Sequence, residues 1–198
     1  MYIINVILKQ TVRRGIKLKK EIKKKNNYKW VAQLAIMAFS ISFAFSFISE
    51  ISLKKANLVV SVIVVLLFIF LGIIFDMVGV AITTADEAPF HSMSSRNKIK
   101  AAKVAVMLKK NADKMSSFCC DVIGDICGII SGSAGVVIAT NISESLGIDF
   151  LLATLITTAV IAALTIGGKG YEKTIAMNKG NQILYAFAKV ISVFYRGK

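Results

Sequence analysis

The chain has 198 residues, 56 % of them hydrophobic and 18 % charged, and its 25 Lys and Arg against 11 Asp and Glu give a formal net charge of +14. Water-soluble domains run at roughly 45–50 % apolar and about a quarter charged, so this composition excludes intrinsic disorder and an ordinary nucleic-acid-binding module. Apolar runs held in lipid, with basic runs beside them, reconcile the two properties; with one proline, the expected fold class is an all-α polytopic membrane protein.

Residues 1–29 hold the basic run from Lys9 to Lys29, with Ile7, Leu8, Val12, Ile16, Leu18 and Ile22 among the lysines. This reads either as a basic amphipathic cytoplasmic segment on the anionic inner leaflet of the bilayer or as an orientation signal alone. It is not a cleaved signal peptide, because the basic region is too long and no small-residue cleavage site ends the next apolar run. A bilayer core of ~30 Å needs roughly 20 helical residues. Four stretches of a single transmembrane domain, residues 30–198, meet that length, at about 30–49, 57–82, 116–140 and 150–168. The second run stays apolar from Ala56 to Ala85 apart from Asp76, about 45 Å as one helix. A break is therefore expected at Gly79, at Thr83-Thr84 or at Pro89, beside Asp86 and Glu87. Two juxtamembrane amphipathic helices are predicted: about 95–114, with Ile99, Ala102, Val106 and Met107 on its apolar face, and about 171–195, with Ile183, Leu184, Phe187, Val190, Ile191 and Phe194.

Lys and Arg concentrate in residues 1–29, in the connection from Arg96 to Lys114 and in the tail from Lys169, whereas one other connection holds only Lys54 and Lys55 and the last holds none. By the positive-inside rule the chain crosses the cell (inner) membrane four times with both termini cytoplasmic.

Chemistry-bearing motifs are few. Cys119, Cys120 and Cys127 lack the spacing of a zinc site and read as small buried hydrophobes. His91 is the one histidine, no phosphate loop precedes a Lys-Ser/Thr pair, and no nucleophile–base pair can be assembled, so neither an enzyme, an ATP-driven pump nor an organic cofactor is expected. Gly124, Gly128 and Gly132 form a small-residue stripe suited to helix packing, within one chain or across a homodimer. Asp76, Asp121 and Asp125 lie inside apolar runs, each at a cost of roughly 2.5–3.5 kcal/mol at mid-membrane. Asp121 and Asp125, four residues apart, share a helix face that is expected to point into the bundle. Their partner is then Lys169, a proton or a hard cation such as Mg²⁺, which takes carboxylate and carbonyl oxygens.

The order of elements over about residues 57–195 resembles the transmembrane domain of the CorB/CorC and cyclin M family of magnesium and cobalt transport proteins. The resemblance is carried by Asp86-Glu87-Ala88-Pro89-Phe90-His91-Ser92-Met93-Ser94, by the Lys- and Ala-rich stretch from Lys100 to Lys114, by Gly124-Asp125, and by Gly168-Lys169-Gly170-Tyr171-Glu172-Lys173-Thr174. It stops before the nucleotide-binding CBS pair of that family. The resemblance implies secondary transport or sensing of a divalent cation held by a Ser, an Asn, a Glu and backbone carbonyls. Those positions fall on Asp86, Asp125 and Lys169, so two neutral ligands have become acids and the acid has become a base. Asp86 and Asp125 are thus the expected metal ligands, with Asp76, Asp121 and Lys169 along the ion path. The alternative is a non-transporting interaction or regulatory protein in which Lys169 takes the place of the ion in an Asp–Lys salt bridge.

Overall fold

A computed structural model of the chain describes residues 28–51, 57–97 and 99–194, and these are helical with short connections. The basic segment before Tyr28 lies outside the described residues. Four helical stretches are long and apolar enough to cross a membrane, Tyr28–Ile51, Leu58–Thr84, Ala112–Leu146 and Phe150–Val193, and the protein is an all-α, multi-pass membrane protein. In lipid every backbone N–H and C=O must be satisfied within its own segment, which is why a Val- and Ile-rich run such as 58–84 is helical despite its β-branched side chains.

The chain divides into two units, Met1–Ser40 and Ile41–Lys198. In the first, the described residues are the opening half of helix α1 (Tyr28–Ile51), where the Ser40 hydroxyl donates to the Ile36 carbonyl at 2.9 Å. The second unit holds the rest of α1, with Phe45 edge-on to Phe68 at 6.4 Å between ring centroids, and a bundle of the remaining helices. These are α2 (Leu58–Thr84), α3 (Ala88–Asn97), α4 (Lys100–Lys110), α5 (Ala112–Ser117), a π-helical turn over Phe118–Gly124, α6 (Asp125–Leu146) and α7 (Phe150–Phe194).

Helix α2 buries Ser61, Val65, Ile69, Gly72, Asp76 and Gly79, one residue every three or four along a single stripe. It runs unbroken through Gly79 and ends at Ala85, so the expected break falls at Ala85–Glu87. Its terminal carbonyls at Ile82 and Thr83 accept hydrogen bonds from Lys109 Nζ at 3.1 and 2.7 Å. Pro89 sits in the first turn of α3, where a missing N–H costs nothing. At the other end, Gly147 closes α6 in the left-handed region (φ 65°), and the Asp149 carboxylate caps α7 by accepting from the Leu151 and Leu152 N–H groups.

Two expectations for the juxtamembrane segments are corrected. The stretch 95–114 is three helices rather than one, and α4 is a core helix: Ala101, Ala102, Val104, Ala105, Val106 and Leu108 are buried while Met107 faces out. Three alanines let neighbours close in on its buried side, where α4 joins Val78, Ile82, Phe90, Leu184 and Ala188 in one hydrophobic cluster, while Lys100, Lys103, Met107 and Lys110 keep the other face exposed. The tail does not start a new helix near residue 171. Helix α7 runs from Phe150 to Phe194, with one non-helical residue at Lys179 (φ −120°, ψ 24°). The kink at Lys179 separates the span helix, which buries Ala153, Ile161, Glu172 and Ala176, from a tail helix that buries Leu184 and Ala188.

Candidate functional site

Helices α2, α6 and α7 meet where their stripes carry small residues. A Cβ at Gly72 would stand 3.1 Å from Cys127 Cβ and 3.3 Å from the Gly124 carbonyl, and one at Gly168 would overlap the Ile73 side chain. With backbones this close, polar groups on facing positions reach each other, and two charged arrangements result.

The first is an ion pair. Lys169 Nζ donates to Asp125 Oδ1 at 3.2 Å, with the lysine side chain 24 % exposed and the aspartate 62 %. The second lies one turn further along α2 and α7. Asp76 (6 % exposed) and Glu172 (3 %) are both buried and neighbour each other across α2 and α7. Neither oxygen of Glu172 finds a hydrogen-bond donor. Cys120 completes the cluster. Its thiol donates to the Asp76 backbone carbonyl at 3.6 Å and lies 3.9 Å from Ser116 Oγ.

Local backbone explains why Cys120 sits there. The π turn over Phe118–Gly124 packs more residues into each turn than an α-helix and rotates the positions before Gly124 relative to those after it. Cys119 and Cys120 thereby both approach α2, and they do so against Gly79, where a Cβ would overlap Cys120 Sγ.

The aspartates expected to face the bundle together do not. Asp121 and Asp125 are exposed, on the outer side of the π turn and of the start of α6. Asp86 is separated from this region. Its N–H donates to Asn181 Oδ1 at 2.7 Å, its Oδ1 accepts from the Ala88 N–H, and it lines a polar cleft with Thr84, Asn178 and Gln182. Asp125 stands beside Gly124, which packs at the level of Gly72. The twelve residues from Gly72 to Thr84 advance about 18 Å, with Asp86 beyond them. Asp86 and Asp125 are therefore not two ligands of one ion. Among the described residues no group of three His, Cys, Asp or Glu is arranged to hold a metal.

Within the chain, the glycine stripe packs at its first member alone. Gly124 is approached by the Cys119 and Gly72 carbonyls and by Lys169 Nζ, but a Cβ at Gly128 or Gly132 would meet nothing within 4 Å. A four-residue step overshoots an α-helical turn by about 40°, so Gly132 has swung about 80° from Gly124. The packed stripe is Cys127, Ser131, Ala134 and Ile138, spaced three and four apart. Cys119 and Cys127 are buried free thiols, and His91 makes an exposed pair with Glu87 at 2.8 Å on α3. Glu172 is the site residue that sequence reasoning passed over. Its signal was present: Gly168, Glu172, Ala176 and Gly180 continue the small-residue register of α7 past the first charge.

No protein-family model matches the chain, and no characterised protein matches it.

Proposed function

We propose that the protein is a cation-handling membrane protein of the kind it resembles, a divalent-cation transporter or sensor of the CorB/CorC and cyclin M type, with Asp76 and Glu172 as its ion-binding carboxyls. One observation carries this reading: two neighbouring acids, Asp76 on α2 and Glu172 on α7, are buried in the bundle, and both oxygens of Glu172 lack a donor. Ionisable groups inside a bundle are expensive and mark ion pathways unless a partner neutralises them. Mg²⁺ keeps several of its waters and is commonly held by one or two carboxylates, and Asp76, Glu172 and the Ser116 hydroxyl offer oxygens of that type. In the absence of a phosphate-binding motif the driving force is an ion gradient. The distribution of Lys and Arg supports a plasma-membrane location with both termini cytoplasmic.

The test is titration calorimetry and flux into proteoliposomes with Mg²⁺, Mn²⁺ or Co²⁺, on the wild type and on Glu172→Gln and Asp76→Asn. Divalent-dependent heat and flux that fall at least tenfold in both variants are expected. No dependence on any of the three ions in either assay refutes the reading.

A second reading has its own observation, the 3.2 Å Lys169–Asp125 pair. Lys169 here takes the place that the resemblance gives to the ion-holding acid, which fits a non-transporting protein with a tethered ammonium as its permanent cation. Under that reading Lys169→Glu destabilises the protein or creates metal binding, whereas under the transport reading it mainly alters ion affinity.

A further inference from the structure

We propose that the outward faces of α4 and of the tail helix after Lys179 dock on anionic phospholipid, with Val190, Val193 and Met107 set against acyl chains and Lys100, Lys103 and Lys110 against the phosphates of the same leaflet. The proposal is independent of the ion-handling reading, because neither face holds a residue assigned to it.

The depth of the tail helix is set by its contacts with α2. Gly180 meets the end of α2, where a Cβ would stand 3.3 Å from the Ala85 nitrogen. A helix running straight on from there would carry Phe187 about 10 Å further into water. Instead, Leu184 and Ala188 share a cluster with Val78 and Ile82, and the Phe187 ring lies edge-on to Phe75 at 6.5 Å between centroids. The tail therefore turns back along α2 toward the bilayer. The 27 residues of α2 span about 40 Å, against a hydrocarbon core of ~30 Å. However that excess is divided between the two ends of α2, Phe75 stays inside the core. Val190 and Val193, one and nearly two turns beyond Phe187, are 61 % and 80 % exposed. At that depth the medium they face is acyl chain.

Helix α4 crosses the last two turns of α2. Val104 and Leu108 join Val78 and Ile82, and Lys109 reaches the Ile82 and Thr83 carbonyls. That is the depth of the headgroups. Its outward face carries Lys100, Lys103, Met107 and Lys110, in steps of three and four along one side of the helix. Among the described residues none of these three lysines is in an ion pair, whereas Lys109 is held by carbonyls and Lys169 by Asp125. Like charges at this spacing repel, and the apolar Met107 among them gains nothing from water. A layer of anionic headgroups answers both, because phosphates neutralise the lysines while Met107 reaches the acyl boundary.

The experiment reads tryptophan fluorescence of the full chain in mixed phosphatidylcholine–phosphatidylglycerol nanodiscs, with one lipid or the other brominated on its chains. The one native tryptophan is removed by Trp30→Phe, and a reporter is placed by Val193→Trp, by Met107→Trp or, as a control in the polar cleft, by Gln182→Trp. The Val193→Trp reporter should emit at short wavelength and be quenched by either brominated lipid, and the Gln182→Trp reporter by neither. Long-wavelength, unquenched emission from Val193→Trp overturns the placement of the tail. Short-wavelength emission without quenching overturns it in favour of a protein covering, such as a second copy of the chain. Val190→Trp repeats the reading should Val193→Trp fail to fold. The Met107→Trp reporter should be quenched at least about twofold more by brominated phosphatidylglycerol than by brominated phosphatidylcholine. That excess should vanish when Lys100→Gln, Lys103→Gln and Lys110→Gln are combined, and again at about 0.5 M salt, where the screening length is only a few ångströms. Equal quenching by the two lipids overturns the docking of α4 on anionic headgroups, as does an excess that survives loss of the lysines or added salt. The salt titration needs no lysine variant, so it decides even if the triple variant fails to fold.

Discussion

Gly79→Ala is the sharpest test of how α2 meets the π turn. The added Cβ would overlap Cys120 Sγ and stand 3.1 Å from the Ser116 carbonyl and 3.3 Å from Cys119 Cβ, where carbon atoms normally rest ~3.5–4.0 Å from their neighbours. Rotation of Cys120 relieves the closest contact, but the Ser116 carbonyl belongs to the backbone and yields only if the helices separate. Overpacking of this kind costs about 1–3 kcal/mol. Replacing an interior glycine by alanine returns up to ~1 kcal/mol in helix propensity. The net expectation is a loss of about 1–2 kcal/mol, a factor of roughly 5–30 in the folded-to-unfolded ratio. In a Cys120→Ala background the overlap with Sγ is gone while the backbone contact persists, so the cost should fall by about half, a coupling near 1 kcal/mol. Reversible unfolding in mixed micelles, titrated with SDS and followed by far-UV circular dichroism, measures all four corners of the cycle. Gly79→Ala as stable as wild type, or equally costly in both backgrounds, refutes this account of the interface.

Gly128→Ala and Gly132→Ala should be neutral or stabilise by up to about 1 kcal/mol, because each Cβ enters open space within the chain. Destabilisation in the same SDS assay would mean that something packs on that face of α6, and cross-linking at the same protein concentration would report whether it is a second copy. Lys109→Met removes a charged donor from the Ile82 and Thr83 carbonyls at the end of α2 and should cost about 1–2 kcal/mol. An unchanged melting temperature in detergent would show that the contact carries no weight. A double-mutant cycle of Asp125→Asn and Lys169→Met should give a coupling below ~1 kcal/mol, since the aspartate is 62 % exposed. A coupling of several kcal/mol would instead place the pair in a dry, low-dielectric setting.

The number and position of the spans were legible in the sequence because a continuous apolar run of 20 residues has few physical interpretations. What escaped was decided by neighbours. Residues 95–114 show an amphipathic pattern, yet Ala101, Ala102 and Ala105 count as weak hydrophobes in any such pattern while being the residues that let other helices close in on α4. Gly79 is one of three places where the sequence offers a break in α2, because a lone glycine reads as a helix weakener. Here its lack of a side chain serves an approach by Cys120, and nothing local distinguishes the two uses. Asp121 and Asp125 were assigned to the bundle by assuming α-helical angles throughout, and the π turn between Phe118 and Gly124 has no signature in a hydropathy profile.

Glu172 was missed for a related reason, and its recovery changes the charge logic of the whole bundle. A span delimited by charge stops at Gly168, so every ionisable residue after it is assigned to an aqueous tail. Helix α7 continues instead, and one turn of it presents two opposite charges in different directions. Lys169 reaches outward to the exposed Asp125, while Glu172, three residues on, turns inward to Asp76. The base nearest to hand is thus committed at the rim, where exposure makes the pair worth little. The buried carboxyls, where a cation would matter most, are left without one. A bundle selected only for stability would place the lysine where it neutralises the buried acid, since the cost of an uncompensated charge rises with burial. Under the proposed function, the place beside Asp76 and Glu172 is left to an exchangeable cation in place of that lysine.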